Sequence, residues 1–359
     1  MTEIKLGRWD LSELTKNPKD AAFQKQIQKL EKQARKFEKI KLKLDPKMSS
    51  KKFMSIIQQV EEMSEKMSKI GGYASLSYSS DTQSDEATSL MTQMSKLGSE
   101  ISNKILFFDL WWKTKVDKKN AKRLMEDTGE LTEYLLHKRL FAKYALSEPE
   151  ERIINTLDVT GISALVKLYD KITNAYEYKM KIGNKTQTMT REELTNYVRS
   201  TNPKIRETAY KTILTKYTEN KGVIGEIYQN IVLNWRDEGI EIRGYKTPIS
   251  MRNIGNDVDD KTIESLLSVC KKNSSVFQKF FVQKAKMLKM KKLRRYDLYA
   301  PAAANIKEKN YTYKKSVKLV FESLGKFSET LEEFARKVFN ENHIDSSIRQ
   351  GKRDGAFCS

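Results

Sequence analysis

The stretch Ser49-Ser50-Lys51-Lys52-Phe53-Met54-Ser55-Ile56-Ile57-Gln58-Gln59-Val60-Glu61-Glu62-Met63-Ser64-Glu65-Lys66-Met67-Ser68-Lys69-Ile70-Gly71-Gly72 decides the fold class. Phe53, Ile56, Ile57, Val60, Met63, Met67 and Ile70 recur at the i, i+3, i+4, i+7 interval that stacks side chains on one helix face. Ser49 and Ser50 stand where a helix needs a hydroxyl to accept a first-turn N–H, and Gly71-Gly72 predicts its stop. A second stripe runs Leu90, Met94, Leu97, Ile101, Ile105 and Phe108. It ends in Phe107, Phe108, Trp111 and Trp112, which read most simply as core. Ser147-Glu148-Pro149-Glu150 opens a further helix, with Ser as cap, Pro in the first turn and acids at the positive end of the dipole.

Near 177–189 the period changes from helical to alternating. Tyr178, Met180 and Ile182, then Gly183-Asn184, then Thr186 and Thr188 predict a short β-hairpin. Thr190-Arg191-Glu192-Glu193 opens the next helix with a capping box. Asn202-Pro203 punctuates two helices, and Gly244 to Pro248 forms a loop. Val317, Val320, Phe321, Leu324, Phe327, Leu331, Phe334 and Val338 predict one last helix. The expected fold is mainly α, with a helical domain over 1–185 and a second domain over 186–359.

Composition agrees. Gly and Pro number 15 and 6 in 359 residues, about half their usual share, which disfavours turn-rich β sandwiches and barrels. Cys270 and Cys358 are too few for a disulfide framework. No apolar run reaches the roughly 18 residues of a membrane span, and Met1 to Lys5 shows no secretory leader. A soluble cytoplasmic protein without membrane contact is the expectation. The net charge of +20 invites a nucleic-acid reading, with Lys284 to Arg295 the densest cluster. The excess is Lys-rich and dispersed, however, so a solvated helical surface explains it without any partner, and nucleic acid is not the expected ligand.

Histidine carries the sharpest negative result. His137 and His343 lie 206 positions apart, and neither is followed by Glu. A zincin needs two His four apart on one helix, so that both nitrogens reach one ion, with a Glu beside the first. No metal ligand is therefore assigned. His137 and His343 read as structural, and no catalytic residue is assigned. Nucleophile elbows and phosphate-binding glycine loops are also missing from these 359 residues. Two polar, punctuated segments stand out from the helices: Ile242 to Pro248 and Arg349 to Cys358. Glycines beside cations allow close approach of backbone to a ligand or to another strand, and an ordinary turn explains them too.

An ordered series of such segments resembles the oligoendopeptidase F family of thimet-like zinc metallopeptidases. The series comprises Trp9-Asp10-Leu11-Ser12-Glu13-Leu14, then Tyr73-Ala74-Ser75-Leu76 with Asp81-Thr82, then Leu146 to Glu151. It continues with Arg243-Gly244-Tyr245 through Pro248, Arg252-Asn253 and Tyr296-Asp297-Leu298-Tyr299-Ala300-Pro301. It closes with Ile344-Asp345 and Gly351-Lys352-Arg353-Asp354-Gly355-Ala356-Phe357-Cys358-Ser359. The resemblance implies the N-terminal two-thirds of such an enzyme, with the upstream part of a zincin-type catalytic domain in the second half. It implies a zinc ion in the complete enzyme and oligopeptide substrates. The family's HExxH helix follows the last segment and has no counterpart here, so the chain alone is expected to bind no zinc and to be inactive. Arg243, Gly244, Tyr245, Gly351, Arg353 and Gly355 are the substrate-channel candidates. A complementing C-terminal catalytic segment is the implied partner. Two rival readings stand beside this one: a non-catalytic helical peptide- or partner-binding protein, and a basic nucleic-acid-binding protein.

Overall fold

The structure, a computed structural model, describes residues 6–302 and 311–359. The opening Met1 to Lys5, read above for a leader, lies outside them. Five helices come first: α1 (Ala21–Glu38), α2 (Ser50–Ser80), α3 (Asp85–Thr114), α4 (Lys118–Leu124) and α5 (Thr132–Leu140). They share one core in which Phe23, Leu30, Phe37, Phe53, Leu124 and Trp112 are fully buried. Phe53 lies 4.9 Å from Trp112 and 6.1 Å from Phe108, ring centre to ring centre, so both predicted stripes meet at the aromatic knot. Each such side chain contributes about 1.5–3 kcal/mol on burial, which lets this layer close its own core. The indole N–H of Trp112 donates to the Leu135 carbonyl at 2.9 Å. Arg139 donates to the Trp112 and Val116 carbonyls, caps the end of α3 and ties α5 to it.

Ser49 caps α2 as expected, accepting from the Lys52 N–H. The predicted stop at Gly71-Gly72 is corrected: α2 runs on to Ser80. Ala74 and Tyr78 continue the buried stripe from Ile70, and that burial outweighs the modest helix penalty of two glycines. Gly71 also gives room to the Met67 side chain, whose methyl would lie 3.3 Å from a Cβ there.

Next come α6 (Glu148–Thr160), opened at the predicted Ser147 cap, whose N–H and hydroxyl both donate to the Glu150 carboxylate, and α7 (Ile162–Asn174). Strands β1 (Tyr178–Ile182) and β2 (Lys185–Met189) pair antiparallel across a turn in which Gly183 has φ of 60°. Helices α8 (Arg191–Tyr197), capped by Thr190 and Glu193, and α9 (Pro203–Glu219), capped by Asn202, pack on β1. Tyr176, Tyr178, Met180, Met189, Leu194 and Ala209 form a second, smaller core there.

Beyond it run α10 (Lys221–Arg236), prolonged by a π-helical turn over Asp237–Ile242, then α11 (Pro248–Gly255), α12 (Asp260–Lys272) and α13 (Ser274–Met287). The predicted single helix from Val317 to Val338 is two: α14 (Tyr313–Phe327) and α15 (Glu329–Asn340). Ser328 adopts extended backbone at φ −159° and accepts from the Leu331 N–H. A hydroxyl able to cap a new helix breaks the run, and α15 folds back on α14 with Phe321 edge-on to Phe339 at 5.3 Å. Among the described residues no helix is long and apolar enough to cross a membrane.

Candidate functional site

Arg243 stands at the end of the π-helical turn, where an extra residue per turn rotates it toward α6. Its guanidinium binds Glu151 through two parallel hydrogen bonds of 2.8 and 2.9 Å. A third, of 2.8 Å, goes from Nε to Glu238, and the Tyr144 carbonyl takes a fourth at 3.3 Å. The hydrogen bonds to Glu151 raise the Arg243 pKa against the pull of burial. Burial pushes Glu151 up, but the Arg243 bonds and the Leu146 N–H hold it below the usual carboxylate range. Gly244 takes φ of 73°, a left-handed turn that favours glycine, and sends Tyr245 back to stack on Tyr144 at 3.6 Å. With its donors engaged inside the protein, Arg243 positions the chain.

The second candidate segment forms a buried charge node. Asp345, 1% exposed at its side chain, receives Arg349 at 2.7 and 2.5 Å, Lys352 at 2.9 Å and the Ser80 hydroxyl at 3.0 Å. Burial raises the Asp345 pKa, and these donors outweigh it and hold the carboxyl ionised. Gly351, at φ of 79°, turns its carbonyl to the N–H and hydroxyl of Thr82 at 2.7 and 2.8 Å. A Cβ there would lie 2.9 Å from the Asp81 carboxylate. The Arg353 N–H donates to the Ser79 carbonyl, and its guanidinium lies 3.5 Å from Asp170. Gly355 has φ of 83° and open space around its Cα. The segment thus locks onto the ends of α2 and α7. No hydrogen bond or ion pair among the described residues joins it to the Arg243 group.

Sequence reasoning missed a third node. Arg206 on α9 and Asp297 pair at 2.7 Å with side chains 2% and 0% exposed. Asp297 also accepts from Arg294 at 2.9 Å, and Arg206 donates to the Ser200 and Thr201 carbonyls. The signal lay in Tyr296-Asp297-Leu298, quoted above for the resemblance alone.

The two histidines occupy separate sites. His137 on α5 meets the Ile254 carbonyl at 2.7 Å, tying α5 to α11. His343 lies between Glu13, 3.6 Å from Nε2, and Glu341, 3.7 Å from Nδ1. These three are the one group of metal-type ligands among the described residues. They do not fit a peptidase zinc centre, because a single imidazole presents its two nitrogens to two different carboxylates.

Comparison with known proteins gives the class first. Residues 196–359 match the model of peptidase family M3. The chain superposes on oligoendopeptidase F from Enterococcus faecium with a TM-score of 0.71 at 17% identity, covering 89% of this chain and 60% of that one. A structure of PZ peptidase A with an inhibitor gives 0.73 at 14% identity, over 92% and 56% of the two chains. At such identities the likeness speaks to the fold. The chromosomal oligoendopeptidase F of Lactococcus lactis subsp. cremoris is 22% identical over 86% of this chain and 52% of that protein. Oligopeptidase PepF of Bacillus subtilis is 21% identical over 98% and 52%. By sequence and by fold the chain is thus similar to oligoendopeptidases F. The chain spans about half the length of the curated relatives it matches.

Proposed function

We propose that this chain is the N-terminal helical portion of a cytoplasmic zinc oligoendopeptidase. In this reading 1–185 form the helical domain, and 186–359 form the upstream part of the catalytic domain. The chain builds one wall of the channel that admits short peptides, and Arg243, Gly244, Tyr245, Gly351, Arg353 and Gly355 shape its approach. Arg243 and Gly351 act as positioning residues, because their polar groups are already engaged inside the protein. The zinc ligands and general base belong to a complementing C-terminal segment. When bound, the metal would activate water and polarise the peptide carbonyl.

The observation that carries the reading is the M3 match over 196–359 in a chain whose two histidines stand at separate sites, His137 against the Ile254 carbonyl and His343 between Glu13 and Glu341. Metal analysis after chelator washing should find well under one zinc per chain, with no cleavage of a quenched fluorescent peptide. One tightly held zinc together with chelator-sensitive cleavage would show that these 359 residues suffice.

A second reading, a partner-binding helical protein, is favoured by one observation. Phe277, Phe280 and Val282 on α13 are each more than half exposed.

A further inference from the structure

Helices α12 and α13 carry the spacing of a buried face without a core to bury it. On α12, Ile263, Leu266, Leu267 and Cys270 fall at i, i+3, i+4 and i+7, and on α13 Phe277, Phe280 and Phe281 repeat the pattern. The same spacing on α2 leaves Phe53, Ile56 and Ile57 at 0–5% exposure. Here Leu266, Leu267, Phe277 and Phe280 are 56–62% exposed. No residue of α12 is buried, and on α13 only Lys284 and Ala285 are. Apolar faces of this kind left exposed at core spacing mark an interaction site in a soluble protein.

Charge says what kind. Residues 260–295 hold eleven Lys and Arg against Asp260 and Glu264, nine of the chain's twenty net positive charges in a tenth of its length. Lys284 is spent on the Leu298 carbonyl and Arg294 on Asp297. Lys271, Lys272, Lys279 and Lys286 make no ion pair among the described residues. Cations bordering an apolar seam attract a complementary surface and repel a basic one.

We propose that the exposed faces of the consecutive helices α12 and α13 are the docking surface for an acidic helical polypeptide, with an apolar seam bordered by Asp and Glu. Resting on the peptidase reading above, this names the place and the chemistry by which the complementing segment attaches. The relatives' twofold greater length supplies a polypeptide of the necessary size.

The exposed Cys270 lies on the α12 stripe and provides a local reporter once the exposed Cys358 is changed to Ser. The full chain, labelled at Cys270 with an environment-sensitive dye, is titrated with four probes. They are an amphipathic Leu/Glu helical peptide, its Leu/Lys counterpart, phosphatidylglycerol vesicles and single-stranded RNA. The Leu/Glu peptide should bind saturably and about tenfold or more tighter than the Leu/Lys peptide, weakening about fivefold between low and 0.5 M salt. F277S with F280S should weaken it about tenfold or more at unchanged helicity. K272E with K279E, which leaves the apolar seam intact, should do the same. Equal binding of both peptides, a response only to vesicles or RNA, or dye shifts that track self-association in the centrifuge would each overturn the proposal.

A separate arm adds the part of the Lactococcus lactis relative that lies outside the matched half and reads peptide cleavage. Selective Leu/Glu binding without restored cleavage keeps the docking surface and counts against the peptidase reading. Restored cleavage indifferent to F277S/F280S overturns the docking surface alone.

Discussion

Asp297→Ala is expected to destabilise the chain by about 3–5 kcal/mol, the cost of stranding one member of a buried ion pair. Arg206 would keep its backbone acceptors at Ser200 and Thr201 but lose its counter-charge in a site where its side chain is 2% exposed. Urea unfolding followed by circular dichroism measures the loss. Arg206→Met with Asp297→Leu should recover much of it, since an apolar pair carries no desolvation penalty. A single-variant loss below about 1 kcal/mol would mean that water reaches the pair.

The pH dependence has a defined sign. Burial raises the Asp297 pKa, but hydrogen bonds from Arg294 and Arg206 outweigh it, so the folded value lies below the ordinary 3.8. A depressed folded pKa gives stability that is fully present above the unfolded value. It is lost as the pH falls below 3.8 through the folded value. Melting temperatures between pH 7 and pH 2 should therefore fall more steeply for the native protein than for Asp297→Asn.

Asp345→Ala is expected to release the last segment of the chain. It removes the acceptor for Arg349, Lys352 and Ser80 at once, at a cost of about 3 kcal/mol or more. The effect should be local, because the aromatic core around Phe53 and Trp112 shares none of these bonds. Hydrogen exchange should speed up at the Thr82 N–H, which donates to the Gly351 carbonyl, while the amides of α1 stay protected. Protease should cut first within 343–355. Gly351→Ala should act in the same direction through φ of 79° and the 2.9 Å approach to Asp81. Unchanged exchange at Thr82 in both variants would show that the charge node does not hold the segment.

Local signals made the helices legible. The Phe53 to Ile70 stripe, the Ser147 helix start, the Thr190 capping box and the Gly183-Asn184 turn each act within a few residues, so their meaning survives without tertiary context. Where long-range packing competes with a local signal, the local one gives way. Gly71-Gly72 reads as a stop, yet the buried positions Ala74 and Tyr78 carry α2 past it. Ser328 shows the converse, a single hydroxyl dividing an unbroken apolar period.

Of the candidate site, the sequence marked Arg243 to Tyr245 and Gly351 to Gly355 by their glycines and cations, but not what those cations bind. Arg243 meets Glu151 across 92 positions, and Thr82 meets Gly351 across 269. Partners at such separations are chosen by how helices pack, and no spacing rule records them. The amino-acid sequence by itself determined the helical class, the hairpin and the lack of a paired-histidine zinc motif in these 359 residues, because these follow from periodicity, turn chemistry and count. The tertiary structure alone decided that Arg206 and Asp297 bury their charges together. It alone decided that α12 and α13 leave an apolar seam among lysines, because burial is a property of the assembled neighbours.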